Sequence, residues 1–317
     1  MRVLTLGETM ALLDPLEGGL HEGALLTLRI AGAESNVGVG LSRLGVETAW
    51  ISRLGTDPFG DLVFSTLAGE GLDLTWARRD PEAPTGFFFK WRSEDGSRVL
   101  YYRRGSAASR LEPSDVPDEA FDGVALVHLT WITTALSSSA YETVLDVARR
   151  ARERSTTVVF DPNWRPALWS GPEEAAAAQR AVLPYVDWYL CGDEEGRALF
   201  GTSTPQETFR AIVAAGARDA VVRSRSTGTL VRVKGELRVV ASPTVVSVLD
   251  EIGAGGGFAA GFIYGLLHGW SPHESVRAGK VVAVRALAGT GDWETLPRIE
   301  EVRAELSAAR AAGPSGP

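Results

Sequence analysis

Short apolar runs along the chain alternate with longer stretches whose apolar residues recur every three or four positions. The first kind suits a strand buried on both faces, the second a helix with one buried side. Arg2–Leu6 reads as a first strand. Val37, Val39, Leu41 and Leu44 then make a helical face that Gly45 stops. A strand at 46–51 and a helix at 61–70 follow. From Gly123 onward the pattern predicts strands at 124–129, 158–161, 188–191 and 220–223. Helices at 137–153, 173–183, 194–199 and 206–215 lie between or just after them. A hairpin at 230–233 and 237–240 precedes helices at 258–267, 272–288 and 299–309, and the tail 311–317 should fray. This order predicts an α/β fold, a central and mostly parallel sheet flanked by helices on both faces, Rossmann-like in outline.

Two stretches break the alternation. Residues 14–23 are rich in Gly, Pro and charge and read as a flap. Gly86–Trp91 and Ser97–Arg103 flank Glu94-Asp95-Gly96, a strong hairpin signal. A hairpin that interrupts a βα run, with a flap near it, predicts a small β-sheet projecting from the core as a lid. The plainer alternative is a decorated edge of the main sheet. The expected division is an α/β core at 1–10, 31–84 and 105–317 and a small β lid at 11–30 and 85–104.

The chain is organised around Leu249-Asp250-Glu251-Ile252-Gly253-Ala254-Gly255-Gly256-Gly257-Phe258. An apolar run, 239–249, leads in, and Phe258, Phe262, Leu266 and Leu267 lead out at helical spacing. This predicts strand, glycine turn, helix. Unpaired N–H groups at a helix N-terminus, with the helix dipole, favour a bound anion, and glycines let a phosphate approach the backbone. A glycine-rich turn with no ligand is the alternative that the residues alone leave open.

Composition narrows the class. The 317 residues are 44% apolar, enough for a sizeable core, and the net charge of −8 argues against nucleic acid or an anionic membrane as partner. The single cysteine, Cys191, excludes an internal disulfide framework and reads as a small apolar filler. No signal-peptide pattern or apolar run of membrane-spanning length is present, so the expectation is a soluble cytoplasmic protein. No Gly-x-x-x-x-Gly-Lys-[Ser/Thr] loop occurs, which excludes a P-loop kinase. A dinucleotide-dependent oxidoreductase built on Gly253-x-Gly255 fails on context, because that fingerprint belongs to a first βα unit.

Asp250 through Phe262 resembles the signature of the ribokinase-like carbohydrate kinases, Asp-Thr-x-Gly-Ala-Gly-Asp-x-Phe-x-x-Gly-Phe. The resemblance implies a ribokinase-like fold, ATP as co-substrate, Mg²⁺, and an anion hole from Gly253, Ala254 and Gly255. It also implies that the residue at 256 is the base that deprotonates the sugar hydroxyl. Here that residue is Gly256. Ala31-Gly32-Ala33-Glu34-Ser35-Asn36 resembles the family's sugar-binding Gly-Gly-Ala-x-x-Asn, which points to Gly32, Ala33 and Asn36. Residues 54–60 resemble its second conserved loop.

Tyr101-Tyr102-Arg103-Arg104-Gly105 and Asp161-Pro162-Asn163-Trp164-Arg165-Pro166 resemble most the branch that phosphorylates 2-keto-3-deoxygluconate, a sugar acid. Arg103 and Arg165 suit a carboxylate, which a guanidinium grips bidentately. Tyr101 and Asp292 match further sugar-facing positions. On the nucleotide side the resemblance assigns Asn163, Arg223, Ser224, Arg225, Gly228, Gly253, Gly255 and Lys280. It assigns Glu195, and indirectly Asp250, to Mg²⁺. Gly192 stands where the Asn of Asn-x-x-Glu is usual, and Arg225 and Lys280 where Gly and Asn are usual, so the departures cluster on the nucleotide side. Two expectations follow: a sugar-acid kinase with strongly impaired turnover, or a non-catalytic sugar-acid or nucleotide sensor in the same pocket. The apolar hairpin residues Phe87, Phe88 and Phe89 suit pairing with a second lid in a homo-oligomer.

Overall fold

Neighbouring residues of the central strands face opposite ways, and both faces are apolar. Val3, Leu126, Val159, Leu190 and Val221 point to one side of the sheet. Leu4, Val127, Val158, Cys191 and Val222 point to the other. Such strands need helices on both faces. The computed structural model describes residues 1–93, 96–241, 253–287 and 291–311.

In chain order, the strands are β1 (Arg2–Leu6), β2 (Met10–Pro15), β3 (Leu26–Ala31), β4 (Glu47–Gly55), β5 (Ala77–Asp80), β6 (Phe87–Ser93), β7 (Gly96–Tyr102), β8 (Val124–Thr130), β9 (Thr157–Asp161), β10 (Trp188–Gly192), β11 (Asp219–Ser224), β12 (Gly228–Val233) and β13 (Glu236–Val240). The helices are α1 (Ala33–Arg43), α2 (Pro58–Gly69), α3 (Trp131–Thr134), α4 (Ser138–Glu153), α5 (Pro172–Val182), α6 (Asp193–Phe200), α7 (Pro205–Ala214), α8 (Ala254–Leu267), α9 (Pro272–Ala286) and α10 (Ile299–Ala311).

The large sheet runs β13-β12-β11-β10-β9-β8-β1-β4-β5. It is parallel from β11 to β5 and antiparallel at the β11-β12-β13 edge. Helices α1, α8 and α9 cover one face, and α4 and α7 the other. This is the ribokinase-like α/β architecture.

A second sheet, β3-β2-β6-β7, stands apart from the first. Met10, Leu12, Ala31 and Phe88 bury its inner face. Its outer face carries Phe87 stacked on Tyr102, with ring centroids 4.7 Å apart, and leaves Leu28 and Leu100 exposed. Phe88 therefore faces inward, and only Phe87 and Phe89 of the three phenylalanines face out. Asp57 joins the two sheets: its carboxylate caps α2 at the Gly60 N–H (2.8 Å) and accepts from the Thr85 N–H (2.7 Å) just before β6.

One expectation needs correction. The glycine run is not a turn: α8 starts at Ala254, not Phe258, so Gly255, Gly256 and Gly257 form its first turn after an N-cap at Gly253. The edge strand β5, the short helix α3 and the 3₁₀ turns between 107 and 121 had no periodic signature long enough to read. The lead-in strand beyond Val240 and the Glu94-Asp95 turn lie outside the described residues.

Candidate active site

A cavity of about 700 Å³ opens at the C-terminal ends of β1, β8, β9, β10 and β11 and the N-terminal ends of α1 and α8. The small sheet roofs it through Met10, Phe88 and Tyr101. Strand carboxyl ends are where α/β sheets of this kind bind ligands. With helix N-termini at the same spot, the cavity gathers main-chain N–H groups.

One half is built by α1 and the small sheet. Gly32 lets the chain pass close, since a Cβ there would lie 2.4 Å from the Glu8 carbonyl oxygen. Asn36 Oδ1 accepts from the Gly32 N–H at 3.4 Å, so that residue is held at the helix start. Arg103 lies 5.6 Å from the Tyr101 ring centroid and pairs with the buried Glu8 carboxylate at 2.5 Å. Glu8 also accepts from the Ser106 hydroxyl. The Arg103 Nε is buried without a hydrogen-bond partner. Lys90, on β6, reaches within 4.0 Å of Asp292. Below this half, the buried Glu34 accepts hydroxyls from Thr130 and Thr133, and its burial pushes its pKa up.

The other half carries Asp161, Asn163, Glu195 and Arg223. Glu195 works as a clamp: one oxygen accepts from the Gly192 N–H (2.7 Å), the other from the Trp164 N–H (2.9 Å). Arg223 Nη2 lies 3.8 Å from Asp161 and 3.9 Å from Glu195, and its guanidinium stacks 5.2 Å from the Phe258 centroid. Asn163 takes a left-handed φ of +40° while its N–H donates to Asp161 at 3.0 Å. Asn tolerates that conformation better than most residues.

Burial pushes the Asp161 carboxyl up to about 7 although Arg223 pulls the other way. Such a carboxyl is short of positive charge, which fits a cation nearby. Among the described residues no group of three or more His, Cys, Asp or Glu side chains gathers as a metal site. A hard cation held mainly through water and phosphate oxygens, as Mg²⁺ commonly is, suits Asp161 and Glu195 better than a full protein cage would. Cys191 is fully buried and its thiol pKa is raised by desolvation, as expected of a filler.

The two halves meet at α8. Gly253 has φ +90°, and a Cβ there would lie 2.3 Å from the Asp292 carbonyl oxygen. Gly256 sits differently: a Cβ would meet Asn36 at 3.5 Å and Val37 at 3.8 Å, which is ordinary contact. The same is true at Gly192, where the nearest atom is Glu195 Oε2 at 3.6 Å. A side chain at either position would therefore have room.

Most residues singled out from the sequence share this cavity: Gly32, Ala33, Asn36, Tyr101, Arg103, Asn163, Arg165, Glu195, Arg223, Ser224, Arg225, Gly253 to Gly256, Lys280 and Asp292. Gly228 does not line it, although its neighbour Thr229 does. Instead, Gly228 lies against the Val240 carbonyl, which a Cβ would approach to 2.7 Å. Arg165 lies at the exposed rim, donating to its neighbour's Trp164 carbonyl at 3.0 Å. Lys280 donates to the Val240 and Ala241 carbonyls, the latter at 2.7 Å, and burial lowers its pKa to about 8. It thus ties α9 to the end of β13. Asp250 lies outside the described residues. Sequence reasoning missed Glu8, Lys90, Ser106, His128 and Thr130, whose partners lie far away along the chain.

A Rossmann-like core, a separate four-stranded sheet and a glycine-rich helix start facing the cavity define a carbohydrate kinase of the ribokinase-like class. The pfkB family carbohydrate kinase model matches residues 1–298, and the chain belongs to that family. It is 34% identical over 310 residues to the 2-dehydro-3-deoxygluconokinase of Bacillus subtilis (strain 168), covering 97% of this chain and 96% of that enzyme. To the 2-dehydro-3-deoxygluconokinase of Thermoproteus tenax it is 32% identical over 314 residues, covering 96% and 94%. The crystal structure of a PfkB protein from Polaromonas sp. JS666 superposes with a TM-score of 0.86 at 36% identity, covering 95% of this chain and 99% of that one.

Proposed function

We propose that this chain transfers the γ-phosphoryl group of ATP to a hydroxyl of a 2-keto-3-deoxy sugar acid, slowly, because residue 256 is glycine. The observation that carries the substrate class is Arg103, a buried guanidinium beside Tyr101 with an unmet Nε. A carboxylate can satisfy it with charge-assisted hydrogen bonds. Arg165 at the rim adds a second cation, while Gly32, Ala33, Asn36 and Asp292 face the hydroxyls.

The N–H groups of Gly253, Ala254 and Gly255 receive the transferring phosphoryl. Asn163, Arg223, Ser224, Arg225 and Lys280 shape the nucleotide half. Glu195 and Asp161 would hold Mg²⁺ through its waters, and the ion would neutralise phosphate charge. Phosphoryl transfer relies mostly on positioning and charge, so this scaffold supports turnover even with a weak proton acceptor. The small sheet then acts as a lid over the sugar, keeping water from the reacting groups.

A coupled assay with 2-keto-3-deoxygluconate and MgATP tests the reading. The expected turnover is below about 1 per second, under the usual kinase range. By calorimetry, Arg103→Ala should weaken sugar-acid binding by about 10- to 100-fold, the scale of one lost charged hydrogen bond. Nucleotide affinity should hold. Equal weakening for a neutral hexose, or no sugar-acid binding by the parent chain, would refute the substrate class.

The exposed outer face of the lid, with Leu28, Leu100 and Tyr102, favours pairing with a second lid. Sedimentation should then show a dimer that Leu28→Glu dissociates. A monomeric parent chain would end that reading.

A further inference from the structure

Arg223, near the end of β11, is in register with Gly192, the last residue of β10, and both line the cavity. Its side chain runs to the start of α8. Nη1 lies 3.6 Å from where a Cβ on Gly255 would stand, and the guanidinium carbon lies 5.2 Å from the Phe258 ring centroid. Residues 255 and 258 share one helix face, so the guanidinium lies along the first turn of α8. The side chain is 24% exposed, so a molecule in the cavity can reach it.

Among the described residues this guanidinium makes no hydrogen bond. The Asp161 and Glu195 carboxylates stand 3.8 and 3.9 Å from Nη2, so charge and stacking hold it while its N–H donors stay open. Neither acid cancels it fully. Each Glu195 oxygen already accepts a backbone N–H, and burial pushes the Asp161 carboxyl up to about 7. The missing side chain at Gly192 keeps the approach clear, because a Cβ there would come within 3.6 Å of the same Glu195 oxygen that faces Arg223. An open fork of donors beside a helix N-terminus suits phosphate oxygens.

We propose that Arg223 is a catalytic residue that grips the γ-phosphoryl oxygens during transfer and stabilises the charge spread over them. The inference rests on the kinase reading above and deepens it, since a holder of the nucleotide becomes a transition-state contact. In the step, the sugar oxygen bonds to the γ-phosphorus as the bond from that phosphorus to the β,γ-bridging oxygen breaks. ADP leaves with the bonding electrons, and the hydroxyl proton passes to solvent. A fixed positive charge lowers this barrier without taking a proton. It therefore serves a site in which residue 256 is glycine.

Arg223→Met keeps an unbranched chain against Phe258 and removes the charge. With 2-keto-3-deoxygluconate and MgATP it should lower kcat by about 10²–10³-fold, the usual loss for one preorganised donor, and shift the KM for ATP less than about threefold. Arg223→Lys should recover about tenfold of that loss, because it restores the charge without the fork. A raised KM at unchanged kcat would make Arg223 a ground-state nucleotide contact, and full activity would remove it from the reaction; either overturns the inference.

A second measurement needs no turnover. Aluminium fluoride bound with MgADP and the sugar acid mimics the group in transfer, and calorimetry reads its affinity. Arg223→Met should weaken fluoride-complex binding by at least about 30-fold and MgADP alone by less than about threefold, as expected of a contact made in the transition state. Equal weakening of the two, as a merely structural role would give, overturns the inference, and so does no weakening of either. If the native chain assembles the complex and Arg223→Met does so equally well, the kinase reading stands without Arg223. A native chain that neither assembles it nor turns over overturns both.

Discussion

Gly256→Asp is expected to raise the turnover of sugar acid and MgATP by about 10²–10⁴-fold, the usual contribution of a positioned general base. The backbone is ready for it. Residue 256 lies in the first turn of α8, and the nearest atoms to a new Cβ, on Asn36 and Val37, stand at 3.5 and 3.8 Å. A carboxylate in the first turn of a helix is favoured by the dipole, which also keeps it ionised and able to accept a proton. Asp has slightly better helix propensity than Gly, so stability should rise by a few tenths of a kcal/mol at most, on the order set by intrinsic propensities. Stopped assays of kcat with sugar-acid affinity measured in parallel check the result. If affinity holds and kcat does not move, the missing base is not what limits the reaction. The obstacle would then lie in the nucleotide half, where Arg225 and Lys280 depart from the family pattern.

The main sheet was legible because its strands announce themselves twice. Val3 and Leu4, or Val221 and Val222, are adjacent apolar residues bound for opposite faces, and only a doubly covered strand needs both. The start of α8 was not legible for the opposite reason. Three consecutive glycines speak against a helix by propensity, yet this one is set by its neighbours. A Cβ at Gly261 would lie 2.5 Å from the Ala278 carbonyl, and one at Gly257 would lie 3.3 Å from the Ala283 Cα. The glycines are the surface on which α9 and the segment around Leu296 pack, so tertiary contact overrides local preference.

The site divides the same way. Gly253, Asn36 and Glu195 were found because their stretches resemble motifs. Glu8 and His128 were not, since what makes them notable is a partner elsewhere in the sequence. Ser106 reaches Glu8 across 98 positions, and Thr5 reaches His128 across 123. No local pattern carries that information. The family resemblance of Arg103 likewise gave no hint that Glu8 already holds one edge of the guanidinium. On the proposed reading, a sugar carboxylate would add to that ion pair or compete with it.

Gly253→Ala should be the most damaging single substitution in the proposed phosphate cradle, and Gly255→Ala its contrast. At Gly253 two costs coincide. The left-handed φ of +90° disfavours any residue with a Cβ, by about 1–2 kcal/mol. That Cβ would also sit 2.3 Å from the Asp292 carbonyl oxygen, a main-chain atom that cannot rotate aside. Either the helix start or the Asp292 segment must move, which would misaim the N–H groups proposed to hold the phosphate and shift a residue proposed for the sugar side. At Gly255 a Cβ meets only the Arg223 guanidinium, at 3.6 Å. Thermal unfolding and nucleotide titration separate the two. Gly253→Ala is expected to lose about 2 kcal/mol or more of stability, as strained backbone substitutions do, with at least tenfold weaker nucleotide binding. Gly255→Ala should keep both within about twofold and a few tenths of a kcal/mol, gaining from helix propensity what it loses in space beside Arg223. Equal behaviour of the two variants would mean that the N-cap conformation at Gly253 does not set the cradle, and the anion-hole assignment would fall with it.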